Sequence, residues 1–342
     1  MNLITQWHIT EQCNWRCTHC YHEGYLDEWP DLNILKNTFE QIVEIKKNYF
    51  WLIVNKYVNF AWWEPFLKKE FLDLLEYIND RNIIKNIGIL TNWSLINQKL
   101  LDRLKKFKNL KFRFQMSLEW EKKVNDLIRW KWTFEIVKDK IKLLRQNNIE
   151  IRISFTLTTK NQNELIKLIP FIQEFNINLW VRRIVPMWQS NEEYNLMLSQ
   201  EEWYKLSIKY FNINKNILKW KWTINLSWCS EITWYKYKWY WCWINDNRVL
   251  TIMHNLDVYA CRRLPIIFGN LKKDKLNNIL NWNKYLEFVK SHNYIELCKK
   301  CPYVSWCKWW AKCITYAKNK TLKMEDPQCY FAILMREKNN KK

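Results

Sequence analysis

Cys13, Cys17 and Cys20 stand together in "CNWRCTHCY", directly after a stretch that reads as the first strand. Thiolates spaced C-x3-C-x2-C on one loop can converge on an iron–sulfur cubane, which is normally held by four cysteine sulfurs. Three of them, with no fourth nearby, leave one iron open to a ligand the protein does not supply. A zinc site is the other reading. It would want a fourth Cys or His, and His19 and His22 stand close enough to serve. A disulfide set is disfavoured, because "MNLITQWHIT" lacks the zones of a secretory signal.

Eight more cysteines lie between residues 229 and 329. "LCKKCPYVSWCKWWAKC" places Cys298, Cys301, Cys307 and Cys313 at C-x2-C-x5-C-x5-C, with Cys329 beyond and Cys229, Cys242 and Cys261 upstream. C-x2-C pairs of this kind are used by zinc ribbons, so a structural zinc site is one reading of these cysteines.

A third feature is compositional. The chain has 3 glycines and 24 tryptophans in 342 residues. At the usual ~7%, a chain this long would carry about 24 glycines. Turns and helix ends need glycine, which alone takes positive φ without steric cost. The tryptophans sit where turns belong, in "AWWEP", "TNWSL", "SLEWEKK", "IRWKWTF" and "CKWWAKC". This pattern is expected if the source reads UGA as glycine while the translation gives tryptophan. Trp62 and Trp63 are then glycines after the second strand.

These residues need a frame to position them. Strand-like and helix-like segments alternate: "LITQWHIT" and a helix over 32–48, "YVNFA" and a helix over 66–80, "NIGIL" and one near 96–107. "KFRFQMSL" with 133–147, "IEIRISFTL" with 162–175 and "INLWVRRIV" complete the series. Six β/α units imply a parallel sheet, open or closed into part of a barrel. In a barrel the chemistry gathers at the C-terminal strand ends. After about residue 190 the rhythm breaks, which divides the chain into residues 1–210 and a cysteine-rich region over 211–342.

Other properties bound the function. No apolar run approaches the ~18 residues of a membrane span, so a cytoplasmic location is expected. The net charge of +21 is spread along the chain. Lysine, asparagine and isoleucine are abundant throughout, as A- and T-rich codons produce, so a nucleic-acid partner is not expected. A basic zinc protein that binds nucleic acid is the non-enzyme alternative.

The ordered motifs resemble those of radical S-adenosylmethionine (radical SAM) enzymes carrying a C-terminal SPASM domain. "CNWRCTHCY" is similar to the cluster loop of that superfamily, Tyr21 included. "AWWEP" resembles its G-G-E-P motif with Trp62 and Trp63 as glycines, "LTNWSLI" its T-N-G motif, and "MSLEWEKKVNDLIRWKWTF" its S-L-D-G…D-x-I-R-G-x-G-x-F signature. The fold so implied is α/β, a partial (β/α)6 TIM-like barrel with a small cysteine-rich C-terminal α+β domain.

The resemblance also implies roles. Cys13, Cys17 and Cys20 would hold a [4Fe-4S] cluster whose open iron is chelated by S-adenosylmethionine. The backbone at Trp62 and Trp63, with Glu64, would engage the methionine amino group. Tyr21 would face the adenine, Asn92 belongs to the third-strand motif, and Ser117 and Arg129 would lie near the methionyl and ribose portions. Cys298, Cys301, Cys307 and Cys329 would hold one auxiliary [4Fe-4S] cluster. Cys242, Cys261 and Cys313 would hold another, completed by Cys229 or an external ligand. The spacing before Cys313 is two residues longer than in the family, and Leu256 stands where the family has glycine.

SPASM relatives mostly modify peptides or proteins, so a peptide or protein substrate is expected, with flavodoxin or ferredoxin as electron donor. The sulfatase-maturing branch has an acidic residue after the cysteine aligned with Cys261. Here Arg262 and Arg263 follow, which makes formylglycine formation the alternative, beside small-molecule or tetrapyrrole chemistry. Because the chain opens at the first strand, recognition of a leader peptide is expected to come from a separate protein or to be absent.

Overall fold

The computed structural model describes residues 4–17, 20, 30–48, 57–61, 63–129, 131–187, 196–206, 209, 224–226, 249–281, 287–288, 295–301, 311–329 and 332. Tyr21, Trp62, Cys229, Cys242 and Cys307 lie outside these residues, as does the expected boundary at 210.

The strands of the first half are β1 (Ile4–Trp7), β2 (Tyr57–Phe60), β3 (Asn86–Leu90), β4 (Lys111–Ser117), β5 (Glu150–Leu157) and β6 (Asn178–Arg183). A short β7 (Ile224–Leu226) follows β6 in the sheet. All seven pair in parallel, in chain order. Helices α1 (Leu32–Asn48), α2 (Phe71–Arg81), α3 (Gln98–Leu104), α4 (Lys122–Ile128), α5 (Thr133–Gln146) and α6 (Glu164–Glu174) make the crossovers.

The apolar spacing explains the packing. In α2, Phe71, Leu74, Leu75 and Ile78 recur at helical intervals and are all buried, which lays one stripe on the sheet. Asn82 ends that helix in the left-handed region at φ 46°, a conformation asparagine tolerates. At the next helix, Asn97 accepts a hydrogen bond from the Leu100 amide at 2.9 Å, a side-chain N-cap. Gly88 in β3 is one of the few true glycine letters. A Cβ there would lie 2.0 Å from Asn59 Oδ1 of β2, so the close approach requires it.

The sequence expectation over 66–80 is met by two pieces, a 3-10 turn at Pro65–Leu67 and then α2. Helix α4 and strand β7 were not expected. The larger departure concerns the C-terminal strands. β8 (Val249–Ile252), β9 (Asp257–Cys261) and β10 (Leu264–Asn270) form an antiparallel meander. It does not stand apart, because β8 pairs in parallel with β1 and the ten strands make one sheet, ordered β10-β9-β8-β1-β2-β3-β4-β5-β6-β7. Three short helices complete this half: α7 (Leu276–Asn281), α8 (Glu296–Lys299) and α9 (Lys312–Asn319).

The sheet curls, and hydrogen bonds across its mouth report it. Arg263, in the turn after β9, donates from Nη2 to the backbone oxygen of Arg183 at the end of β6, at 2.5 Å. Those strands are seven places apart in the sheet, so their ends meet only through curvature, as in a partial barrel.

Arg183 is also clamped by Asp326. Nη2 reaches Oδ2 at 2.7 Å and Nη1 reaches Oδ1 at 3.1 Å, with both side chains buried. Gln328 adds a third partner at 3.1 Å. Removing one member of such a pair strands a buried charge. Asp326→Ala is therefore expected to lower unfolding free energy by about 3–5 kcal/mol, read as a fall in the urea midpoint; a loss below about 1 kcal/mol would show the clamp to be incidental.

Candidate active site

The C-terminal ends of the strands surround one cavity. Cys13, Cys17 and Cys20 form part of its wall, with Thr91, Asn92, Gln115, Ser117, Ser154 and Thr156 along the strand ends. Ser117 and Ser154 are register partners on β4 and β5. The sequence reading singled out Ser117 and missed its neighbours. Their signal is positional: polar residues at strand C-termini in otherwise apolar runs, where a barrel displays its chemistry.

Glu64 is fully buried and organises the entry side of this cavity. Its Oε2 accepts hydrogen bonds from Thr91 Oγ1 at 2.6 Å and the Asn92 amide at 2.8 Å. Its Oε1 accepts from the Phe66 amide at 3.2 Å. The Glu64 amide itself donates to the Gln12 carbonyl at 3.0 Å. From there the network reaches the cysteine loop. Asn92 Nδ2 donates to Asn14 Oδ1 at 2.6 Å and approaches Cys13 Sγ at 3.6 Å. The carboxylate thus ties the ends of β2 and β3 to the thiols.

The signature after β4 is a second organising element. Asp126 accepts hydrogen bonds from Trp132 N, Phe134 N and Thr133 Oγ1 at 3.1, 2.9 and 3.0 Å, which caps the start of α5. Asn125 donates to Thr133 Oγ1 at 2.8 Å and accepts from the Glu119 amide at 3.2 Å. Glu119 is thereby set against Arg129, whose Nε and Nη2 both reach its carboxylate, the latter at 2.7 Å. Arg129 lines the cavity, and its charge is held by this buried pair.

The thiols are poised for a metal. Burial pushes Cys17 up to about 12, with the nearby Arg129 opposing, and burial likewise raises Cys13. Free thiolates are costly here, and the charge becomes tolerable when iron takes it up and the proton leaves. Among the described residues no three Cys, His, Asp or Glu side chains converge on a single ion position. A cubane presents a separate iron to each thiolate, so three thiols spread along one wall fit it without such convergence. In the C-terminal half, Cys261 lies beside Cys313, and Cys298 beside Cys301 and Asp326. Cys329 donates its amide to the Asp326 carbonyl at 2.9 Å.

The backbone at the tryptophans is unusual. Trp63, Trp93, Trp120 and Trp132 have φ of 54°, 73°, 54° and 70°, and Leu256 has 69°. Positive φ in a bulky residue is a genuine outlier. Trp93 is fully buried and its indole N–H meets no acceptor among the described residues. Trp63 projects its ring into the cavity lining and packs edge-on against His8 and His254.

Comparisons with known proteins agree with the motifs. The family model described as the radical SAM superfamily matches residues 7–172, and the SPASM iron–sulfur cluster-binding domain matches residues 242–302. The chain is a radical SAM enzyme of the SPASM type. Among relatives, it is 24% identical over 282 residues to the uncharacterized protein MJ0907 of Methanocaldococcus jannaschii, covering 78% of this chain and 88% of that one. It is 28% identical over 223 residues to a GTP 3',8-cyclase of Staphylococcus epidermidis, covering 60% of this chain and 61% of the relative. Among solved structures, anSMEcpe with bound AdoMet superposes with a TM-score of 0.75 at 19% identity, with 100% of both chains covered. SuiB of Streptococcus suis bound to S-adenosylmethionine gives 0.73 at 16%, covering 96% of this chain and 77% of that one. Among the described residues of this SPASM enzyme, no helix is long and apolar enough to cross a membrane.

Burial raises the Glu64 carboxyl from 4.5 to about 7, against the opposing hydrogen bonds from Thr91, Asn92 and Phe66. The fold thus favours the protonated acid. Its contribution is full below pH 4.5 and is lost as pH rises to about 7. In the cluster-free protein, wild type should lose about 3 kcal/mol of stability across that window relative to its own acid limit. Glu64→Gln should remove that slope in urea titrations at several pH values; parallel pH profiles for the two proteins would refute it.

Proposed function

We propose that this enzyme cleaves S-adenosylmethionine reductively at a [4Fe-4S] cluster held by Cys13, Cys17 and Cys20, and abstracts hydrogen from a peptide or protein. The observation that carries the reading is the shared cavity: the three thiols and the Asn92 and Ser117 strand ends open onto one chamber. When bound, the cluster and its cosubstrate supply a 5′-deoxyadenosyl radical; the protein supplies orientation and shelter from water. Thr91 and Asn92, held by Glu64, shape the wall beside Cys13. Glu64 is assigned to the methionine ammonium. Ser117 is placed for the methionyl portion, Arg129 stiffens the ribose side through Glu119, and Tyr21 is assigned to the adenine.

The peptide class is supported by two fold relatives whose structures hold peptides. SuiB is bound to its precursor peptide SuiA, and anSMEcpe holds a Cp18Cys peptide. Formylglycine formation fits less well, since Arg262 and Arg263 occupy the positions after Cys261 where that branch has an acid. Cys298, Cys301, Cys307 and Cys329 are proposed as ligands of one auxiliary cluster, and Cys242, Cys261 and Cys313 with Cys229 as ligands of a second. Flavodoxin or ferredoxin is the proposed electron donor and the cytoplasm the proposed location.

The reading includes glycine at positions 62, 63, 93, 120 and 132. Four of these have left-handed backbone among the described residues, and the cavity of about 190 Å³ is smaller than the roughly 300–1,000 Å³ of ordinary ligand sites. Loss of the Trp63 indole would open it beside Cys13.

Two measurements test this. The anaerobically reconstituted protein should hold about twelve irons and form 5′-deoxyadenosine under dithionite. Cys13→Ser should lose about four irons and cut that product at least ~100-fold; zinc without sulfide, or no product from wild type, ends the proposal. Peptide mass spectrometry of the protein from its natural source should read glycine at 63, 93, 120 and 132; tryptophan there would overturn the decoding.

A further inference from the structure

Strands β4 and β5 turn a strip of neutral polar side chains toward the cavity. Gln115 and Ser117 stand two residues apart on β4, Ser154 and Thr156 two apart on β5, and Ser117 is level with Ser154. A period of two puts all four on one side of the sheet, and all four line the chamber. Their backbones are committed to the fold. The carbonyls of Gln115 and Ser154 accept the Thr91 and Leu118 amides at 3.2 Å, and that of Thr156 accepts Asn161 Nδ2 at 2.8 Å. Their side chains are not so committed. Among the described residues, the Gln115 carboxamide and the Ser154 and Thr156 hydroxyls have no hydrogen-bond partner, although Gln115 is only 9% and Ser154 only 5% exposed. Polar groups held so far out of water are normally paired, and leaving them unpaired is costly.

We propose that Gln115, Ser154 and Thr156 hold a main-chain amide of the peptide substrate and so set which of its residues meets the cosubstrate. The proposal rests on the reading of the cavity as a reaction chamber for a peptide. Position separates the strip from the cosubstrate. The cysteine loop follows β1, Glu64 follows β2 and Asn92 follows β3, so the cosubstrate is assigned to the β1–β4 side, with Ser117 at its limit. Ser154 and Thr156 lie one strand further on. Gln115 lies two residues deeper in β4 than Ser117, about 7 Å along the strand. Chemistry selects the occupant. A carboxamide and two hydroxyls each donate and accept hydrogen bonds, as a peptide group does, and none of the three carries a charge. A site built from such groups rejects an analogue that lacks the matching hydrogen-bonding group, because its own buried groups are then left unpaired. The competing role is a strip that holds only water.

The test uses the reconstituted full-length protein with S-adenosylmethionine and two fluorescein-labelled probes read by anisotropy. One is pentaglycine; the other is pentasarcosine, which keeps the carbonyls but carries N-methyl in place of the amide N–H. Pentaglycine should bind at least ~10-fold more tightly, and Gln115→Leu, Ser154→Ala and Thr156→Val should each erase most of that ratio. Ser154→Ala removes a single oxygen and carries the test if Gln115→Leu fails to retain its iron. The exposed Lys106→Gln should leave the ratio intact. In the strip variants, the loss of pentaglycine affinity should exceed any rise in half-saturating S-adenosylmethionine for 5′-deoxyadenosine formation by at least ~5-fold. Equal binding of the two probes, or binding of neither, overturns the proposal, and so does a ratio that survives all three substitutions; each leaves the strip to water. Equal losses of probe and cosubstrate affinity also overturn it, because the strip then belongs to the cosubstrate. Wild type that forms 5′-deoxyadenosine yet treats the probes alike sinks this inference while the proposed function stands; wild type that forms none sinks the function itself.

Discussion

The buried carboxylate of Glu64 is the constraint on which the reaction chamber depends. A carboxylate taken out of water must be compensated by donors, and here they come from three places: the Thr91 hydroxyl, the Asn92 amide and the Phe66 amide. Because they belong to the ends of two different strands, satisfying the acid also fixes those ends relative to each other. Asn92 carries the constraint on to Asn14 and Cys13. The compensation is incomplete, since burial still outweighs the hydrogen bonds and lifts the group to about 7. Assembly of the site therefore leaves an unmet electrostatic demand at this carboxyl.

The second constraint is the closure of the sheet. A ten-stranded sheet left open would expose its flanks, and its two halves would be free to work apart. Instead β8 docks on β1, and the turn after β9 is hydrogen-bonded to the end of β6. Arg183 sits at that junction and holds Asp326, which in turn accepts the Cys329 amide. The cysteine-rich half is thus fastened to the chamber by the β1–β8 ladder and by this buried ion pair.

Much of this was legible in the sequence because it is local. The strand "NIGIL" fell where its apolar run places it, and the cysteine loop, the "EP" turn and the "D-x-I-R" signature announce themselves by spacing. What could not be read was the consequence of closure. Nothing in "VLTI" says that β8 should pair with β1, since a four-residue apolar run carries no information about its partner. The role of Arg129 was half legible: the motif placed it at the cavity, but its buried pairing with Glu119 depends on Asn125 turning back to that residue's amide.

The tryptophans show how a backbone can testify against its own side chains. The Trp132 amide is held by Asp126 and the Trp93 amide by Thr91 Oγ1, at 3.1 and 3.0 Å. Elsewhere in the described chain positive φ falls on Asn82, Asn148 and Asn176, residues that tolerate it, and on Glu121, Leu256 and Lys320. Tryptophan is an outlier there. Its four places each fall inside a motif that otherwise calls for glycine. Trp132 is two-thirds exposed and Trp93 buries an unsatisfied indole N–H, so the same letter would be tolerated at opposite extremes of environment. A residue selected for its side chain does not behave that way. A residue selected for having none does, and the scarcity of glycine across the chain is the other side of that observation.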